Sequence, residues 1–264
     1  MIVLLLLLLV PLVMWASQSV LLKAHGLPIR WRIDSSGAPR QVRTMGRVVT
    51  QVSVLAVIVV YPLILGEMPA AYYGSLLPAS RSVLHLVHGA AASVLFLCVL
   101  FGAWLATGRL QIEVHQSRKR WVRRLVLLLP TALFGAFVEE ILFRGVVLAG
   151  LVRSLPETQH LAVAIAVLVF AGAHYVRSVK RYWTIGGHLA LGLLLCIAFV
   201  QTGSLWLAIG LHAGGILMIM GMRPFLRYRG PVWLTGASIF PFSGVMGIAG
   251  LGILTAFVVT HYGR

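Results

Sequence analysis

The chain has 264 residues, of which 59% are hydrophobic and only 11% are charged, with a mean hydropathy of +0.95. This composition argues against a soluble domain and is typical of a polytopic helical membrane protein. The formal net charge of +16 raises the question of nucleic-acid binding, but the positions of the charges favour another explanation. Long runs of Leu, Val, Ala and Gly, without alternating ten-residue segments, predict helices and not a β-barrel.

We predict an all-α protein with about eight transmembrane helices in a single membrane domain that covers residues 1–264. The first apolar segment lacks a basic start and is too long for a normal signal peptide, so it is expected to be a retained helix. The predicted spans are roughly Ile2–Leu22, Val48–Gly66, Ser82–Ala106, Leu125–Leu151, His160–Tyr175, Ile185–Val200, Leu205–Met222 and Ile239–Thr260.

The basic residues are concentrated in alternate loops between these spans. Four loops hold 18 of the 22 Lys and Arg residues, and this alternation is the pattern of the positive-inside rule, with both termini outside. The basic loops are expected to lie against anionic lipid headgroups of the bilayer, and no nucleic-acid partner is expected. They contain Lys23, Arg30, Arg32, Arg40, Arg43 and Arg47; Arg109, Arg118, Lys119, Arg120, Arg123 and Arg124; Arg177, Lys180 and Arg181; and Arg223, Arg227 and Arg229.

Three charged residues interrupt the fourth span. A charge near mid-bilayer costs about 3 kcal/mol or more, so Glu139, Glu140 and Arg144 need a structural or functional reason. Glu140 and Arg144 are four residues apart on one helix face and can form a neutralising ion pair. Glu139 is turned about 100° away and has no partner in its own helix. The pattern therefore predicts a structural role for Glu140 and a chemical role for Glu139.

Two histidines occupy apolar surroundings on later spans. His174 ends the segment Phe170-Ala-Gly-Ala-His174, and His212 is followed by Ala-Gly-Gly; small residues let neighbouring helices approach closely. Two histidines and an unpaired carboxylate on three spans favour one shared site. The available chemistry is hydrolysis, with Glu139 as general base on a water and the imidazoles orienting it or stabilising an oxyanion.

These residues resemble the three motifs of the CAAX protease and bacteriocin-processing (CPBP/Abi) family, the type II CAAX endopeptidases. The resemblance rests on Glu139-Glu140-x-x-x-Arg144, Phe170-x-x-x-His174 and His212, and the core that it implies covers about residues 125–222. It implies a glutamate-type intramembrane protease without a metal or organic cofactor. By resemblance, Glu139 and His174 activate water, the pair of Glu140 and Arg144 holds the helix, and His212 stabilises the oxyanion.

One position departs from the family pattern. The third motif usually has asparagine four residues after the histidine, where this chain has Ile216, and the sequence contains no asparagine. Losing one oxyanion donor typically costs about 10²–10³ in rate. The departure leaves two interpretations open: an active variant in which His212, a hydroxyl or a backbone N–H suffices, or a non-catalytic scaffold or immunity protein.

The depths of the two motifs in the membrane also need an explanation. A straight helix from Arg124 would place Glu139 about 22 Å deep, whereas His174 would lie only about 4–5 Å inside an edge marked by Arg177. A helix break at Pro130 and Gly135 would resolve this difference. The sequence therefore predicts that Leu125–Phe134 forms a separate or re-entrant piece.

The same residues also permit functions other than a protease. Glu139, His174 and His212 could form a zinc site of the His₂Glu type, but no His-Glu-x-x-His pattern supports it. His85, His88 and His188 could hold a metal, although interfacial packing is favoured. A proton-coupled transporter is disfavoured because matching interrupted spans are missing. The expected substrate is a membrane-anchored protein or peptide (a CAAX-like, leader or C-terminal sorting peptide), and the expected location is the bacterial inner (plasma) membrane.

Overall fold

A computed structural model describes residues 2–29, 38–113, 117–176, 183–237 and 239–263. Of the basic-loop residues in the topology prediction, Arg30, Arg32, Arg177, Lys180 and Arg181 lie outside these ranges. The helices are α1 (Ile2–Ala24), α2 (Arg40–Ile64), α3 (Pro69–Leu76), α4 (Ser82–Ala106), α5 (Arg118–Glu140), a π-helix (Ile141–Leu148), α6 (Ala149–Ser154), α7 (Gln159–Val176), α8 (Ile185–Thr202), α9 (Leu205–Met222), α10 (Val232–Thr235) and α11 (Val245–Tyr262).

The all-α, polytopic membrane architecture is confirmed. Within the described ranges, seven helical segments are long and apolar enough to cross a membrane, and they correspond to the predicted spans two to eight. The first predicted span is also helical, as α1, but it is not one of these seven. The seven are Arg40–Ile64, Pro69–Ala106, Lys119–Ser154, Pro156–His174, Ile185–Thr202, Leu205–Phe225 and Val245–Tyr262.

Short local elements connect the spans. Strands β1 (Leu110–Ile112) and β2 (Leu226–Tyr228) pair antiparallel, with Leu110 opposite Tyr228, and tie the end of α4 to the end of α9. One-turn 3₁₀ helices occur at Ala79–Arg81, Pro156–Thr158, Arg223–Phe225 and Pro241–Ser243. The turn between α8 and α9 uses Gly203 at a φ of 62°, a conformation that suits glycine, and Ser204 then caps α9 through its hydroxyl.

Helix α9 is the central helix of the bundle and carries His212. It packs against α4, α5 and α8. In its most apolar stretch of 18 residues, 61% of the residues are buried, which is the largest share among the seven spans. The crossing with α4 needs glycine, because a Cβ on Gly210 would overlap the backbone of Leu86, and one on Gly214 would overlap Ala90. This close approach on both sides of His212 fixes the position of the histidine between neighbouring helices.

The predicted break before the glutamates is wrong. Helix α5 runs without interruption from Arg118 to Glu140 through Pro130, and the irregular backbone follows the glutamates as the π-helix. The hydroxyl of Thr131 donates to the carbonyls of Leu127 and Leu128, beside the position where proline lacks its N–H. The guanidinium of Arg124 donates to the Met220 carbonyl near the end of α9 at 3.1 Å. Without a break, Glu139 still lies 4.0 Å from His174, so the depth difference expected from the sequence does not separate the two residues.

Candidate active site

The Glu140–Arg144 pair lies at the junction of α5 and the π-helix, and both side chains are fully buried. Arg144 Nη1 donates to Glu140 Oε1 at 3.2 Å. Arg144 Nη2 donates to the Gly192 carbonyl on α8 at 3.1 Å, and the guanidinium lies 4.5 Å from the ring centroid of Phe170 on α7. The arginine therefore joins three helices, since its donors satisfy groups on α5 and α8 while its face packs on α7.

Glu140 has a second partner that the sequence analysis did not assign. Nδ1 of His212 lies 2.8 Å from Glu140 Oε1, the oxygen that also accepts from Arg144. Because the paired Glu140 is a carboxylate, His212 donates through Nδ1–H, which turns its Nε2 away from Glu140. The two residues are 72 positions apart, so no helix periodicity could have revealed the contact. Glu140 thus orients a histidine in addition to neutralising an arginine.

Glu139 occupies a different environment from its neighbour. Its side chain is 43% accessible, whereas that of Glu140 is fully buried. Glu139 Oε2 is nevertheless buried, lies 3.8 Å from His212 Nε2 and 4.0 Å from His174 Nε2, and accepts no hydrogen bond from the described residues. The structure therefore brings Glu139, His174 and His212 together around one carboxylate oxygen.

His174 is fixed near the end of α7 by its own helix. Its Nδ1 lies 2.8 Å from the Phe170 carbonyl one turn earlier, and since a carbonyl only accepts, Nδ1 carries the proton. In the neutral imidazole Nε2 then has a lone pair, and this is the nitrogen that faces Glu139. The Phe170-x-x-x-His174 spacing thus has a direct geometric consequence, because it sets the tautomer of the histidine.

The three residues line a cavity of about 200 Å³. Its lining is mostly apolar. Ile216 is part of the lining, one helical turn beyond His212 on the same face of α9. Among the described lining residues, Ser93 on α4 carries the only hydroxyl, and it donates to the Leu211 carbonyl beside His212 at 2.5 Å.

His188 also lines the cavity, although the sequence suggested it only as a metal-binding partner of His85 and His88. The ring of His188, on α8, lies 4.7 Å from that of His174. His88, one of its suggested metal-binding partners, instead contacts the Tyr262 hydroxyl at 3.1 Å. Within the described ranges, no group of three or more His, Cys, Asp or Glu side chains is arranged to hold a metal ion. The side-chain arrangement therefore lends no support to either suggested metal site.

The fold and this cluster define a multi-pass integral membrane protein with a buried site of two carboxylates, an arginine and histidines. Residues 121–218 match the family model described as type II CAAX prenyl endopeptidase Rce1-like. The match contains Glu139, Glu140, Arg144, His174 and His212, confirms the family resemblance for this part of the chain and supports a membrane protease. Comparisons with curated proteins and with solved structures give no match.

Proposed function

We propose that this protein is a glutamate-type intramembrane endopeptidase that hydrolyses a peptide bond of a membrane-associated substrate. The observation that carries the proposal is the position of Glu139 Oε2, which faces Nε2 of two histidines at 3.8 and 4.0 Å. These separations exceed a direct hydrogen bond and suit groups that share one water molecule. The other glutamate is less suited to the same role, because its side chain is fully buried and its Oε1 already accepts from Arg144 and His212.

In this mechanism the water lies between Glu139 and His174. The lone pair on His174 Nε2 and the carboxylate of Glu139 both accept hydrogen bonds, so they orient the water and take its proton as hydroxide attacks the scissile carbonyl. The same proton then passes to the leaving amine nitrogen as the C–N bond breaks. Both proton-accepting groups belong to the protein, and we propose that the reaction needs no metal ion, as the family resemblance implies.

His212 supplies stabilisation to the oxyanion of the tetrahedral intermediate. Glu140 holds its Nδ1–H, so a proton on Nε2 makes the ring an imidazolium that donates into the cavity. The positive charge of this imidazolium balances the negative charge of Glu139, because Glu140 is already neutralised by Arg144. The family asparagine is replaced by Ile216. The single proton of the Ser93 hydroxyl goes to the Leu211 carbonyl in this structure, and we propose that the hydroxyl rotates away from that carbonyl to supply part of the missing donation.

The substrate is proposed to be lipid-embedded or membrane-anchored, because the cavity lies within a bundle of apolar spans and is lined mainly by Leu, Ile, Met and Phe. A CAAX-like motif, a leader peptide or a C-terminal sorting peptide would each fit this class. We further propose the inner membrane of a bacterium, with both termini outside, from the alternation of basic loops in the sequence.

A non-catalytic scaffold or immunity protein is the second candidate. The specific observation in its favour is Ile216, which places an aliphatic side chain in the cavity where the family motif has an amide. A scaffold does not require the carboxylate chemistry of Glu139, and a protease does. Replacement of Glu139 therefore separates the two candidates.

The test compares membrane proteomes of cells that contain the wild type, Glu139→Gln or Glu157→Gln. Glu157 is an exposed glutamate in the turn before α7 and is the matched control. We expect uncut C-termini to accumulate only with Glu139→Gln, and cleavage by purified protein to persist in a metal chelator. Identical peptide ends in all three strains would favour the scaffold, and loss of cleavage in chelator would favour the zinc protease.

A further inference from the structure

His188 lies outside the three sequence motifs but touches one of their residues. It is 3% exposed, near the start of α8. Its ring centroid is 4.7 Å from that of His174, with 34° between the two planes. Phe170 contacts the same ring of His174 with a centroid distance of 4.6 Å. The imidazole of His174 is therefore in contact with two other rings, one from its own helix and one from α8.

His188 is itself held in a fixed orientation. Its Nδ1–H donates to the Thr184 carbonyl one turn earlier at 2.9 Å. Ser243, in the 3₁₀ turn before α11, donates to the same carbonyl at 3.4 Å. The rings of Phe240 and Phe242 lie edge-on to His188 at 5.2 and 5.5 Å. The segment before α11 and the first turn of α8 thus support His188 from two sides. Phe240, Phe242 and Ser243 lie outside residues 121–218, the part of the chain that matches the family model.

His174 needs such a support more than His212 does. Its side chain is 30% accessible, against 9% for His212. Its hydrogen bond to Phe170 is made within its own helix, and this bond alone leaves the tilt of the ring undetermined. A ring that tilts would move Nε2 relative to Glu139 Oε2, and misplacement by about 1 Å can cost about 10² in rate.

We infer that His188 is a positioning residue that holds the imidazole of His174 with Nε2 toward Glu139. The inference concerns the ring orientation, and its effect on rate rests on the proposed function. Two consequences follow from contact through the ring face. A phenylalanine at position 188 keeps most of the effect, because it preserves a planar ring, whereas alanine removes it.

The kinetic test measures cleavage by purified full-length wild type, His188→Ala, His188→Phe and His85→Ala. His85 on α4 is similarly buried, at 7% exposure, and does not line the cavity, so it serves as the matched control. We expect His188→Ala to lower kcat about 10- to 100-fold with KM unchanged, and His188→Phe and His85→Ala to stay within a few-fold of the wild type. Unchanged kcat in His188→Ala would overturn the inference.

A second readout does not depend on cleavage. Histidine-selective ¹⁵N NMR of the protein in micelles reports the tautomer and the ring mobility of His174. We expect one Nδ1–H tautomer in the wild type and in His188→Phe, and a broadened or mixed His174 signal in His188→Ala, with His212 unchanged. An unperturbed His174 signal in His188→Ala would overturn the inference even if the proposed protease activity were confirmed. If the wild type and Glu139→Gln behave alike in cleavage assays, the proposed function fails, while the NMR result still decides the positioning role.

Discussion

The two halves of the candidate site differ in how strongly the protein encloses them. In the inner half, Glu140 and Arg144 have no accessible side-chain surface, His212 has 9%, and hydrogen bonds join all three. In the outer half, the side chains of Glu139 and His174 are 43% and 30% accessible and lie 4.0 Å apart without a direct hydrogen bond. The inner half is held by direct hydrogen bonds through Glu140 Oε1, while Glu140 Oε2 and Arg144 Nε are buried without a partner among the described residues. The outer half can take a water.

This contrast separates two glutamates that are adjacent in the chain. One residue of helix rotation, about 100°, turns Glu140 toward α8 and α9 and leaves Glu139 beside the cavity. A buried carboxylate is tolerated when cations and N–H donors surround it, and Glu140 has both. Glu139 Oε2 accepts no direct hydrogen bond from the described residues and faces the two histidines at 3.8 and 4.0 Å, so it remains available to a water. Substitution of each glutamate tests whether this division of roles holds.

The largest effect is expected for Glu139→Gln. The amide has the shape of the carboxylate but accepts protons poorly, so we expect turnover to fall by about 10²–10⁴ toward background. The melting temperature should stay close to that of the wild type, because Glu139 Oε2 makes no hydrogen bond to the described residues. Glu140→Gln is the reciprocal variant and should unfold more easily. If Glu140→Gln alone abolished cleavage in a stable protein, the roles of the two glutamates would be reversed.

His212→Ala should lose more than the usual 10²–10³ in kcat that follows removal of one oxyanion donor. The reason is that its neighbour on the same helix face is the apolar Ile216, so little else shares the negative charge. The control is His88→Ala, which removes a contact with Tyr262 away from the cavity. A kcat loss below tenfold in His212→Ala would contradict the oxyanion assignment.

Arg144→Ala should chiefly lower stability. Removing one partner of a buried pair typically costs about 3–5 kcal/mol, because the remaining charge stays buried. The variant would also lose the bond to Gly192 and the packing on Phe170. Arg153→Ala is the matched control, since its pair with Glu67 is 52% and 38% accessible and should contribute about 1 kcal/mol or less. Equal melting temperatures for the two variants would show that the buried pair does not hold the fold.

Local sequence rules predicted the parts of the molecule that depend on one helix. The spans follow from long apolar runs, and the Glu140–Arg144 pair follows from four-residue spacing, which puts both side chains on one face. Contacts between helices were not predictable in this way. The bond from His212 to Glu140 and the packing of His188 on His174 depend on which helices are neighbours and at what height.

The predicted break at Pro130 and Gly135 failed for a related reason. Proline and glycine permit a break without requiring one, and the Thr131 hydroxyl bonds the carbonyls of the preceding turn. The irregular backbone occurs instead at residues 141–148, where the sequence has no proline. Tyr72 donates to the Gly145 carbonyl there at 2.6 Å, a contact that comes from a different helix. Tertiary partners, which a single sequence does not display, thus stabilise the irregularity.

The smallest effect is expected for Ile216→Asn, and it tests how the site works without the family amide. Position 216 lies one turn beyond His212 on the cavity wall, so an amide N–H there can share the developing charge with the imidazole. We expect turnover to rise a few-fold or stay unchanged. A double-mutant cycle with Ser93→Ala sharpens this result, because interacting donors give non-additive losses. If Ser93 supplies the missing donation, Ser93→Ala should cost more kcat in the wild-type background than in the Ile216→Asn background. Equal losses in both backgrounds would show that Ser93 serves only the Leu211 carbonyl, and His212 would then carry the oxyanion without its help.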